Sequence, residues 1–213
     1  MIQARVVKSD KRVFDCRLDD GKIISATALG NLLKEDTVVV GDYVELEEQS
    51  QGHIIKSVHP RKSEIFRMLR RESKKKITAA NCDLLIVLSS CSRPAYKRGI
   101  IDRFLVRAHQ WGITPIVVFN KVDEYDPSEF DLKFEAERLK FLGVECFEIC
   151  ALDADYKPKY LSAGFHDLKN RLHKMTSIFL GQSGVGKSQT ITALSAGKVE
   201  LKTGAVGKVG KGS

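Results

Sequence analysis

Eight residues near the end of the chain, Gly181-Gln182-Ser183-Gly184-Val185-Gly186-Lys187-Ser188, satisfy the spacing G-x-x-x-x-G-K-[ST]. The apolar run Ile178-Phe179-Leu180 before them has the pattern of a buried strand feeding a loop. That setting points to phosphate binding. Gly184 and Gly186 lack a Cβ, so the backbone can turn tightly and aim several N–H groups at one anion, and the helix expected next adds the partial positive charge of its N-terminus. In such a loop Lys187 reaches the β and γ phosphates, which makes it the candidate catalytic residue, and Ser188 offers a hydroxyl oxygen to Mg²⁺. Gln189 is grouped with the nucleotide-binding residues. The plain alternative is a Gly-rich turn after any buried strand, and the adjoining Lys-Ser pair argues against it.

A phosphate loop does not say which base is bound. Pro115-Ile116-Val117-Val118-Phe119 reads as a second buried strand, and it runs directly into Asn120-Lys121-Val122-Asp123. A carboxylate at 123 can accept from both N1 and the exocyclic amine of guanine, donors that adenine does not supply, and the Lys121 stem can lie along the purine face. Asn120 is expected to tie this loop back to the phosphate loop. Alone, the tetrapeptide is an ordinary strand-end turn; beside a phosphate loop it points to GTP or GDP. An ATPase or small-molecule kinase, with Asn120 to Asp123 accidental, is the competing enzyme class.

The N-K-x-D element precedes the phosphate loop by about sixty residues, the reverse of the order in ordinary GTPases. Permutation is physically allowed when the strands keep their places in the sheet and the former termini lie close together. In this order, in its Gly-Gln-Ser-Gly-Val-Gly-Lys-Ser loop and in Ile101-Asp102-Arg103-Phe104-Leu105, the chain resembles the ribosome small-subunit-dependent GTPase A family, also called YjeQ or RsgA. Val40-Gly41-Asp42-Tyr43-Val44-Glu45 and Pro60-Arg61-Lys62-Ser63 extend the resemblance to the front of the chain.

The resemblance implies an N-terminal β-barrel of OB-fold type followed by an α/β P-loop GTPase domain, circularly permuted. It implies a GTPase that binds the small ribosomal subunit and its rRNA and assists late maturation, with hydrolysis driving release. Within Cys150-Ala151-Leu152 it implies that the Ala151 backbone N–H donates to guanine O6, with Leu152 beside it. Cys150 departs from the family's usual Ser, and Gln189 and Thr190 from its Ser and Leu. Beyond the Gly- and Lys-rich stretch Thr203 to Ser213, expected to be mobile, the family continues through switch segments and a zinc-binding domain. The expectation is therefore a GTPase domain that is C-terminally incomplete, a Zn²⁺ site only in that further domain, and poor GTP turnover by these 213 residues alone. The alternative is a non-hydrolysing guanine-nucleotide and RNA-binding module.

Composition bounds the partners. No apolar run approaches the roughly 20 residues of a membrane span, and Met1-Ile2-Gln3-Ala4-Arg5 has no signal-peptide shape, so a cytoplasmic protein with no membrane partner is expected, and a monomer is assumed. Five cysteines without a C-x-x-C pair support neither a disulfide framework nor a zinc ribbon, and buried reduced thiols are expected. The net charge of +8 is uneven: residues 61–76 carry eight basic and two acidic side chains, and residues 181–213 carry five and one. A polyanion would meet those two regions. Arg61, Lys62, Arg70, Arg71, Lys74, Lys75 and Lys76 are the RNA-contact candidates, a solvated linker being the alternative.

The positioning elements follow from pattern. Residues 1–60 give five short strands separated by turn signals at Ser9-Asp10, Asp19-Asp20-Gly21, Gly41-Asp42 and Gln51-Gly52, which suits a small closed barrel. With few aromatics beyond Phe14 and Tyr43, stacking of single-stranded bases is weakly supported, and a purely structural barrel stays open. A basic linker is expected over 61–76 and the GTPase domain over 77–213. In the latter, Leu84 to Leu88, the strand before Asn120, and Cys146 to Cys150 alternate with helices over Ile100 to Trp111, Glu129 to Leu142 and Leu161 to Met175. That alternation predicts a parallel sheet with ligand loops at the carboxyl ends of its strands.

Overall fold

The computed structural model describes all residues except 11, 29, 31, 33–37, 51, 70–73 and 198–213, and at 74 the backbone alone. The chain divides into two compact units, Met1–Asp83 with Trp111–Ile113, and Leu84–Gln110 with the residues from Thr114 onward.

In the first unit, β1 (Ile2–Asp10), β2 (Val13–Arg17), β3 (Ile23–Ala28), β4 (Tyr43–Gln49) and β5 (Gly52–Val58) close into a barrel in the order β1-β2-β3-β5-β4. All neighbours are antiparallel except β3 and β5. Alternation decides which faces turn in: Ala4 and Val6, Phe14 and Cys16, Val44 and Leu46, and Ile55 fill the interior. This is the OB-type barrel expected.

The expected linker is not one. Residues 64–80 contain an antiparallel hairpin of β6 (Glu64–Leu69) and β7 (Lys74–Ala80), with Phe66 opposite Ile77 and Arg67 opposite Lys76. Basic side chains hid the strand pattern in the sequence because long Lys stems can cover apolar neighbours, as Lys75 does with its ammonium 4.5 Å from the Phe66 ring centroid. The first unit accordingly extends to Asp83 rather than ending near 60. Its joints are polar and buried. Asp42, fully buried, accepts from Val39 N at 2.8 Å and from the Arg61 guanidinium at 2.7 and 2.9 Å. Gly41 is required beside it, since a Cβ there would stand 2.0 Å from Ala80 O.

The second unit is a parallel sheet in the order β10-β9-β8-β11, from β8 (Leu84–Ser90), β9 (Thr114–Asn120), β10 (Glu145–Glu148) and β11 (Ser177–Leu180). Its helices are α1 (Arg98–Trp111), α2 (Leu132–Phe141), α3 (Phe165–Arg171) and α4 (Lys187–Leu194). All seven residues of β8 are buried, as a strand covered on both faces must be. Two helices start later than the pattern suggests. Asp131 caps α2 by accepting from Phe134 N at 3.0 Å, which sets the first turn there rather than at Glu129. Before α3, the N–H groups of Lys159, Tyr160 and Leu161 go to the buried Glu148 carboxylate at 2.6 to 2.8 Å, so those residues form a loop.

Candidate nucleotide-binding site

Asn120, the last residue of β9 and 1% exposed, organises the site. Its Nδ2 donates to Val185 O at 2.9 Å and its Oδ1 accepts from Ala151 N at 2.9 Å, so one side chain joins the phosphate loop, the N-K-x-D loop and the loop after β10. The expected tie to the phosphate loop is therefore present. The Ala151 N–H, the candidate donor to a purine O6, donates here to Asn120 Oδ1. Leu152, next to it, is 84% exposed.

Gly186 allows this approach. It has φ of 97°, and a Cβ there would stand 2.4 Å from Asn120 Nδ2. A Cβ on Gly181 would meet Leu88 O at 2.3 Å. Val185 is fully buried in the core of the unit and pins the loop between them. Gln182 is half-buried, Ser183, Gly184 and Gln189 are exposed, and Thr190 secures the start of α4 by donating its hydroxyl to Gly186 O at 2.9 Å. Lys187 Nζ donates to Gly181 O at 3.0 Å and Gln182 O at 2.7 Å, so the cation lies across the loop, and burial lowers its pKa. A cation so held at a helix N-terminus suits a phosphate.

Ser188 is half-buried at the start of α4, and its hydroxyl makes no hydrogen bond to the described residues. That fits Mg²⁺, a hard cation that takes one or two protein oxygens and completes its shell with phosphate oxygens and water. Among the described residues, no group of three or more His, Cys, Asp or Glu could hold a metal ion. The five cysteines are free thiols, with Cys16, Cys91 and Cys150 buried and Cys82 and Cys146 only half-buried.

Lys121 adopts a left-handed conformation, φ 63°, that opens the short 3-10 turn Val122–Glu124, and its Nζ donates to Arg93 O at 2.6 Å. Asp123 sits exposed on that turn. Burial, and then the neighbouring Asp123 carboxylate, raise the Cys150 pKa, so this residue stays a thiol. Sequence reasoning missed the support from Ser90 to Pro94 and from Glu148, because a Ser or Glu at a strand end carries no motif. A cavity of about 1000 Å³ along β10, lined by Lys133, Glu137, Glu145, Tyr160 and Arg171 among others, includes no residue of either nucleotide loop.

Of the RNA-contact candidates, Lys62, Lys75 and Lys76 are exposed. Arg61 is not available: its side chain is 13% exposed and is spent on Asp42 and Glu64. Arg70, Arg71 and the Lys74 side chain lie outside the described residues, as do Thr203 to Ser213. Arg67, in the same basic stretch, is exposed opposite Lys76.

A parallel sheet with a phosphate loop after β11, and an N-K-x-D loop after β9 that comes earlier in the chain, defines a circularly permuted P-loop GTPase fold. Residues 58–213 match the RsgA GTPase family. The small ribosomal subunit biogenesis GTPase RsgA of Saccharophagus degradans is 35% identical over 74% of this chain and 45% of its own length. That of Porphyromonas gingivalis W83 is 31% identical over 94% and 64%. The crystal structure of YjeQ from Thermotoga maritima superposes with a TM-score of 0.73 at 26% identity, covering 94% of this chain and 67% of that one. YloQ, described as a circularly permuted GTPase, shares the fold with a TM-score of 0.68 at 23% identity, covering 91% and 63%. The chain belongs to the RsgA GTPase family. It spans 45 to 64% of the length of these two curated relatives.

Proposed function

We propose that this chain binds GTP and GDP through the loops joined by Asn120, as part of a GTPase that associates with the small ribosomal subunit and assists its late maturation. The observation that carries this reading is the double hydrogen bond of Asn120, which joins a phosphate loop to a guanine-type loop. Asp123 accepts from guanine N1 and the exocyclic amine, and the Lys121 stem covers the purine face. The Ala151 N–H, turning from Asn120 Oδ1 to guanine O6, reinforces that base choice. Backbone N–H groups of Gly181 to Ser188 hold the phosphates, Lys187 turns from its two carbonyls to them, and Ser188 contributes its hydroxyl to Mg²⁺. When bound, that ion neutralises phosphate charge. Hydrolysis drives release from the subunit. Lys62, Arg67, Lys75 and Lys76 position the protein on rRNA phosphates without reading sequence. The protein works as a cytoplasmic monomer.

The test is co-sedimentation of the 213-residue chain with purified small subunits, in the presence of GDP or of a non-hydrolysable GTP analogue. Retention is expected with the analogue, weakened by joint Lys75→Ala and Lys76→Ala; no retention with either nucleotide contradicts the ribosomal reading. The second reading is a guanine-nucleotide and RNA-binding module without useful hydrolysis. GTP turnover measured with and without subunits separates the two: stimulation by subunits supports the hydrolase, and a flat low rate with intact GDP binding supports the module.

A further inference from the structure

The segment after β8 is not used by the reading above, yet it touches both nucleotide loops. The hydroxyl of Ser90, a residue 1% exposed, donates to Arg93 O at 3.1 Å and accepts from Ser92 N at 3.0 Å. Arg93 O is the same acceptor that holds Lys121 Nζ. Ser92 Oγ donates to Glu124 Oε2 at 2.6 Å, on the 3-10 turn that carries Asp123. Cys91 N donates to Asn120 O at 2.8 Å, and Pro94 Cδ lies 3.6 Å from where a Cβ of Gly184 would stand. The β8–β9 ladder ends at Ser90 opposite Asn120, so the ties made by Ser92 and Arg93 are not part of the sheet.

We propose that Ser90 and Ser92 are positioning residues for guanine recognition: Ser90 sets the Arg93 carbonyl that aims the Lys121 stem, and Ser92 fixes the turn that presents Asp123. This rests on the guanine-nucleotide reading. A lysine whose ammonium is anchored before binding has fewer rotamers to lose when a purine lies on its stem. A turn held through Glu124 keeps the neighbouring carboxylate in register with two donors, a geometry in which small displacements weaken both bonds. Neither effect acts on the phosphates.

The test measures affinity for GDP, for ADP, for inosine diphosphate, which lacks the exocyclic amine, and for inorganic pyrophosphate, in the wild type, Ser90→Ala, Ser92→Ala and Ser92→Thr. Ser92→Ala is expected to weaken GDP about threefold to tenfold, the range for losing one ordinary hydrogen bond that acts on the base through Glu124, and to reduce the preference for GDP over inosine diphosphate. Pyrophosphate affinity should be unchanged, and Ser92→Thr, which keeps the hydroxyl, should restore the preference. An unchanged preference in Ser92→Ala, or pyrophosphate affinity falling in parallel with GDP, overturns the inference. If Ser90→Ala does not fold, Ser92→Ala still decides, because its hydroxyl bond is at the surface. A wild type that does not prefer GDP to ADP overturns the nucleotide reading, whereas a wild type that does, with insensitive variants, overturns this inference alone.

Discussion

Asp123 stands exposed on a short turn whose backbone is held from both sides, by Lys121 on Arg93 O and by Ser92 on Glu124, so an Asp123→Asn change alters its hydrogen bonding without freeing the loop. GDP binding should weaken by about 1 to 3 kcal/mol, the loss of a charge-assisted pair in a site built for it, and xanthine nucleotides should gain relative to guanine ones. Competition binding with both bases checks this. At the phosphate end, Lys187→Ala should weaken GDP with or without magnesium, whereas the defect of Ser188→Ala should shrink when magnesium is withdrawn; equal magnesium dependence contradicts the division of roles. Gly186→Ala is expected to abolish tight nucleotide binding. Its Cβ collides with an Asn120 amide bonded at both ends, at a backbone angle that side chains rarely adopt, and calorimetric titration with GDP reads the loss. These candidates were legible in the sequence because binding phosphate and guanine demands particular atoms at particular spacings. The contact of the Ala151 N–H with Asn120 was not legible, because backbone groups carry no side-chain signature and only the fold shows which acceptor reaches them.

At the level of elements, α1 and α2 are joined by a buried carboxylate. Glu135, 3% exposed in its side chain, accepts from the Tyr96 hydroxyl, from Arg98 and from Arg138, and Arg138 in turn reaches Asp102. Burial pushes the Glu135 pKa up, but Arg98, Tyr96 and Arg138 together hold it below its ordinary value of 4.5. The stabilisation is therefore complete above about pH 4.5 and is lost as pH falls through the depressed folded value. Glu135→Gln should lower stability at neutral pH by about 1 to 3 kcal/mol and flatten its decline in acid; denaturant titrations at pH 7 and below 4.5 measure both. Parallel strands such as β8 were legible from unbroken apolar runs. The β6–β7 hairpin was not, because Arg67 and the consecutive Lys74, Lys75 and Lys76 disguise its strands as a charge run. The late start of α3 was also hidden, since it depends on Glu148 taking three loop N–H groups from the neighbouring strand end.

For the whole molecule, the order of motifs along the chain was more informative than any one of them, because a phosphate loop placed after its N-K-x-D partner requires a permuted sheet. The family match over residues 58–213 and the superposition on YjeQ agree with that order. The central claim is guanine selectivity in these 213 residues, and direct competition of GDP against ADP for the magnesium-loaded chain tests it. GDP is expected to bind at least about 100-fold more tightly, because Asp123 facing adenine is left without its donors. Equal affinity for the two nucleotides would contradict it and return Asn120 to Asp123 to the status of an ordinary turn.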